Sequence, residues 1–127
     1  MKIRKVKFDC YLVCKEHIND VRKFLSKFFE EIKGEYSSSN WISFKIPHSD
    51  FIINLMVGED QELTQNMTFE IYFSSKKELE KFAKKHKCKI KIFKVTNTSQ
   101  KYKYNYVEIF GPKEICKIEA NYCENIK

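Results

Sequence analysis

The chain has 127 residues, 43% of them hydrophobic and 15% aromatic, with 24 Lys and Arg against 17 Asp and Glu. That suffices for one packed domain, and no apolar run approaches the roughly 18–20 residues that span a bilayer, so a membrane protein is not expected. The basic start Met1–Lys7 runs into Asp9 instead of an apolar stretch, so no secretion signal is read.

Residues 5–14 alternate as a strand, with Phe8, Cys10, Leu12 and Cys14 on one side and Lys7, Asp9, Tyr11 and Val13 on the other. Ile18, Val21, Phe24, Leu25, Phe28, Phe29 and Ile32 then recur at helical spacing. Asn19 is the expected N-cap and Gly34 the stop. A weak strand at Tyr36–Ser38 precedes a clearer one at Trp41–Ile46, and Pro47–Asp50 reads as a turn. Phe51–Val57 is almost continuously apolar, as a strand covered on both faces would be. Gly58–Gln65 is acidic and polar, a linker.

The order then repeats. Met67–Phe73 is a strand, Ser75-Lys-Lys-Glu78 a capping box, and Leu79, Phe82 and Ala83 the apolar stripe of a second helix. Strands are expected at Lys89–Val95, Tyr102–Phe110 and Ile115–Tyr122, with a polar loop at 96–101 and a turn at Gly111–Glu114. Asp9–Cys14, Val21–Leu25, Trp41–Ile46 and Asp50–Val57 answer Asn66–Ile71, Leu79–Ala83, Tyr104–Ile109 and Glu114–Asn121. Self-similarity of this kind decides an architecture. It predicts an α+β fold of two tandem βαβββ modules, residues 1–58 and 66–127, within one domain. Two halves that each bury one sheet face would share a cleft.

Cys10, Cys14, Cys88, Cys116 and Cys123 form an odd set without a Cys-x-x-Cys pair. Free thiols in a reducing cytoplasm are the expectation. His17, His48 and His86 are scattered and lack zinc-ligand spacing.

Asp9-Cys-Tyr-Leu-Val-Cys14 with Val21–Leu25, Met67–Ile71 with Leu79–Ala83, and Val107–Glu119 with its Gly-Pro-Lys-Glu turn carry a resemblance. In this order they resemble the vicinal oxygen chelate superfamily, which includes glyoxalases, bleomycin-resistance proteins and extradiol dioxygenases. The resemblance implies a half-open, curled mixed sheet with the helices packed outside, and commonly a homodimer. It also implies metal ligands at three strand positions: a His opening the first strand, a His or Gln opening the first strand of the second module, and a closing Glu. Carried over, these fall on Asp9, Asn66 and Glu119, so both imidazoles are missing. An Asp/Asn/Glu set could at best hold Mg²⁺ or Mn²⁺ weakly, and no cofactor is expected. The usual Gly-Asn of the closing turn is replaced by Lys113-Glu114.

Period-2 alternation places the cleft-facing side chains. In the first half they are Asp9, Tyr11, Trp41, Ser43, Lys45, Asn54 and Met56; in the second, Asn66, Thr68, Glu70, Tyr104, Tyr106, Glu108, Lys117 and Glu119. Aromatic walls with a few polar anchors are what a small-molecule site requires. The expected ligand is neutral or anionic, because a basic protein repels cations at distance. A lyase, isomerase or transferase with Glu119 or Glu70 as base is the alternative. A nucleic-acid module using the lysines of residues 76–94 is the third; nucleic acid is not expected, since no arginine cluster or RNA-binding signature accompanies them.

Overall fold

The computed structural model describes residues 7–33, 40–47, 51–58, 66–95 and 101–126. The weak strand at 36–38, Gly34, the turn at 48–50, the linker at 59–65 and the loop at 96–100 lie outside them. The chain divides into two compact units, Met1–Met67 and Thr68–Lys127. Each unit carries its own four-stranded sheet and one helix.

The first unit contains β1 (Lys7–Cys14), α1 (Ile18–Leu25), β2 (Glu30–Ile32), β3 (Trp41–Lys45) and β4 (Phe51–Gly58), in sheet order β1-β4-β3-β2. β1 runs parallel to β4, and the other pairs are antiparallel. The register puts Ile42, Phe44, Ile53 and Leu55 on one face, and all four are buried. They form the core of this unit with Ile18, Val21, Phe24 and Leu25, the buried stripe of α1. β4 carries three consecutive buried residues, Ile53, Asn54 and Leu55, as a strand covered on both faces must.

α1 is shorter than its apolar stripe predicts. It ends at Leu25, where Phe28 and Phe29 both donate to the Leu25 carbonyl, the latter at 2.9 Å. Glu30–Ile32 instead pairs with β3, and Glu31 is ion-paired to Arg22. The ladder bonds and this ion pair outweigh the continuation of the helical stripe. The N-cap is His17, not Asn19, and its side chain makes no capping bond.

The second unit contains β5 (Met67–Tyr72), α2 (Lys76–Lys85), β6 (Lys91–Val95), β7 (Lys101–Phe110), a 3-10 turn at Pro112–Glu114 and β8 (Cys116–Ile126), in sheet order β5-β8-β7-β6. Leu79 and Ala83 of α2 pack on Val107 and Ala120, with Phe73, Phe82 and Ile109 around them. Ser75 caps α2: its Oγ accepts from the Glu78 amide at 3.2 Å. The C-terminus closes with Cys88 N–H donating to the Ala83 carbonyl at 2.8 Å and Lys87 N–H to the Lys84 carbonyl. That closure needs a left-handed residue, and Lys87 supplies it at φ 56°. A Cβ is disfavoured there, so Lys87→Gly should raise stability by about 0.5–1 kcal/mol in urea unfolding. Lys113 and Glu114, which replace the usual Gly-Asn of the closing turn, also sit at positive φ.

Asn105 is fully buried on the helix-facing side of β7, and its Oδ1 has no partner among the described residues. An orphaned buried acceptor is costly. Asn105→Leu, close in shape, should therefore raise the urea midpoint, by about 1 kcal/mol in stability.

Candidate functional site

The face of the second sheet away from α2 builds the clearest site. In β7, Val107 and Ile109 point toward the helix, so Tyr104, Tyr106, Glu108 and Phe110 point the other way. Across β8 they meet Cys123, Asn121, Glu119 and Lys117, and across β6 Phe93 opposes Tyr104. Tyr72, Phe93, Tyr104, Tyr106, Glu108, Glu119 and Asn121 line a cavity of about 380 Å³. Four of these seven side chains are aromatic. Tyr72 and Phe93 keep more than half of their surface exposed, which is unusual for rings of that size.

The charges here are internally balanced. Glu108 is held by Lys117 at 3.0 Å and Lys91 at 3.3 Å, one on each carboxylate oxygen. Lys117 also lies 3.6 Å from Glu119 and 5.7 Å from the centre of the Phe110 ring. The hydrogen bond from Lys117 holds the Glu108 carboxyl below its ordinary range, and the same bond raises Lys117. Glu108 is thus a fixed anion and a poor proton acceptor. The Tyr72 hydroxyl donates to Glu70 Oε2 at 2.8 Å, which raises its pKa. Tyr104 is raised as well, chiefly by the Cys123 sulfur beside it. Both phenols stay protonated at neutral pH and serve as hydrogen-bonding groups.

Glu31 is lowered in the same way by its bond to Arg22. A carboxyl whose folded pKa lies below the unfolded one stabilises the fold at pH above the unfolded value and loses this as pH falls through the folded one. Stability should therefore drop below about pH 4.5, the ordinary glutamate value. Glu31→Gln or Glu108→Gln should flatten that drop in urea titrations across the acid range.

The first unit brings a second set together. The Trp41 indole donates to Ser43 Oγ at 3.1 Å, Ser43 donates to Asn54 Oδ1 at 2.6 Å, and Asn54 Nδ2 lies 3.8 Å from Cys10 Sγ. Asp9 and Tyr11 are not part of it, contrary to expectation. Asp9 pairs with Ile53 and Tyr11 with Leu55, which places them on the Phe44 face, while Trp41 and Asn54 share the opposite one. Both ends of β1 faces carry apolar residues, with Val13 and Cys14 each fully buried, so alternation alone gives no direction. The Tyr11 hydroxyl donates to Asp9 at 3.2 Å.

The same phase error affects the ligand carry-over. Val21 matches Leu79 at an offset of 58, and this offset sets Asn66 in step with Phe8, not Asp9. Asn66 is exposed just before β5, Thr68 is exposed on β5, and Glu70 bonds Tyr72. Tyr104, Tyr106, Glu108 and Glu119 do come together in the cavity. Tyr72, Phe93 and Asn121 were not among the sequence candidates. Tyr72 keeps step with Glu70, and Asn121 with Glu119, so period 2 could have found them; Phe93 sits in a short lysine-rich edge strand without clear alternation.

These residues do not fit a transition-metal ion. Glu119 has a lysine ammonium beside it, Asp9 faces away from Trp41 and Asn54, and no histidine lines the cavity. Among the described residues no three His, Cys, Asp or Glu side chains come together as a metal group.

Solved structures share the architecture. A Bacillus anthracis protein assigned to the glyoxalase family matches at TM-score 0.56 and 16% identity, over 98% of both chains. The chain has the vicinal oxygen chelate fold. A member of the glyoxalase/bleomycin resistance protein/dioxygenase superfamily from Sphaerobacter thermophilus matches at TM-score 0.52 and 11% identity, over 94% of this chain and 98% of its own. An antibiotic binding protein from a Streptomyces species matches at TM-score 0.52 and 11% identity, over 98% and 99%. Identities this low speak for the fold alone. No family model and no curated protein matches the chain. Among the described residues no helix is long and apolar enough to cross a membrane.

Proposed function

We propose that this chain binds a planar small molecule, neutral or anionic, without a metal, on the aromatic face of the second unit. The observation that carries the reading is the cavity between Tyr72, Phe93, Tyr104 and Tyr106, over carboxylates already neutralised by Lys91 and Lys117. Its volume lies within the range of ligand pockets. Flat rings offer stacking surface at little entropic cost, and Asn121 with the tyrosine hydroxyls supplies polar anchors. Glu119, the candidate base, is engaged by Lys117, which favours binding over proton abstraction. That an antibiotic binding protein shares the fold is consistent with this role. The five free thiols support a reducing compartment.

The test is a fluorescence titration of EDTA-treated protein with a neutral naphthalene fluorophore and its sulfonated analogue. Saturable binding at one site, unchanged by added Mg²⁺, Mn²⁺, Zn²⁺ or Ni²⁺, is expected. Binding that depends on metal, or a stoichiometric transition metal retained by the purified protein, would overturn the reading.

A further inference from the structure

Nine lysines and two glutamates lie between residues 76 and 94, a net charge of +7. The rest of the chain carries fifteen residues of each sign, so this one segment holds the whole excess charge. All nine lysines are exposed. Only Lys91 has an acidic partner, Glu108; the other eight have none among the described residues. Like charges left unpaired this densely repel one another, at a cost to the free protein that a partner would relieve.

Their placement on α2 is ordered. Lys77, Lys81, Lys84 and Lys85 follow helical spacing on one side, opposite Leu79 and Ala83, which pack on Val107 and Ala120. Lys87 and Lys89 continue the array beyond the helix end. α2 covers one face of the sheet and the aromatic cavity opens on the other, so this surface is separate from the ligand site.

Against the expectation from sequence, where the missing arginine cluster and RNA-binding signature count only against base recognition, we infer that the outer face of α2 docks on the phosphate backbone of duplex nucleic acid without reading its bases. Lysines are point charges suited to phosphates, and the array has no arginine fork, amide or ring with which to recognise a base edge. A membrane surface fits less well, because the apolar side of α2 is consumed by the sheet and leaves nothing to insert. An acidic protein partner fits less well, because the lysine side of α2 has no apolar or aromatic side chain to form the desolvated centre of a protein interface.

The test uses the full chain and a fluorescent 20-base-pair duplex. The expected result is binding independent of sequence, with log K falling against log salt at a slope of about −3 to −4 for four phosphate contacts. That slope means roughly a hundredfold loss between 50 and 200 mM salt. The Lys81→Glu/Lys84→Glu/Lys85→Glu variant should lose binding at least fiftyfold, with the naphthalene titration and thermal midpoint retained. The Lys15→Glu/Lys23→Glu/Lys27→Glu variant, with the same change in net charge on the first unit, should lose less than fivefold. No duplex binding at 50 mM salt, or equal losses in the two variants, would overturn the inference. Equal or tighter binding to poly-glutamate or to phosphatidylserine vesicles would overturn it in favour of those partners.

Discussion

Phe44→Ala should destabilise the first unit by about 3–5 kcal/mol, the largest effect expected of any single substitution discussed. Phe44 is completely buried, in the middle of β3, between Glu31 of β2 and Ile53 of β4. It shares its sheet face with Ile42, Ile53 and Leu55, all buried, and Ile18, Val21, Phe24 and Leu25 of α1 are buried with them. Truncation removes the transfer energy of the ring and leaves a void that neighbouring strands, locked by their ladder bonds, cannot close. Urea unfolding should show a lower midpoint with an unchanged slope. A loss below about 1 kcal/mol would contradict the β3 register, because it would mean that Phe44 does not face the core.

Tyr106→Ala should weaken the naphthalene probe at least tenfold, about 1.4 kcal/mol, while Tyr106→Phe keeps most of the affinity. Tyr106 stands between Lys91 of β6 and Asn121 of β8, in the middle of the concave face. A planar ligand on that face has to stack against it. The phenylalanine variant separates stacking from the hydroxyl, since it retains the ring. Lys84→Ala, on the outer face of α2, should leave the titration unchanged. Equal loss in the Tyr106→Ala and Lys84→Ala variants would mean that the probe binds elsewhere.

The order of elements was legible because the chain states it twice, once in each module. α2 was the plainest: a serine cap, a glutamate three residues on and the Leu79–Phe82–Ala83 stripe all agree, and the structure keeps the cap and the stripe, while the Glu78 carboxylate accepts from Ser74 Oγ. α1 was over-extended because Phe28, Phe29 and Ile32 continue its spacing, while the strand pairing that claims Glu30–Ile32 depends on residues distant in sequence. Tyr104, Tyr106 and Glu108 were placed on the correct side of β7 because Val107 and Ile109 mark the other side as core. β1 misled for the opposite reason. Val13 and Cys14 are both fully buried, so neither of its faces is marked as solvent, and the phase of Asp9 and Tyr11 was set only by pairing with β4. That one-residue slip also moved the expected ligand position. A parallel strand covered on both sides hides its direction from sequence.

The most direct measurement of the central claim is a ¹H–¹⁵N correlation spectrum of the chain titrated with the sulfonated naphthalene probe. Saturable shifts should cluster at Tyr72, Phe93, Tyr104, Tyr106 and Asn121, with the amides of Lys77, Lys81 and Lys85 unmoved. Shifts confined to residues outside that concave face, or none at all until a divalent metal is added, would contradict that claim.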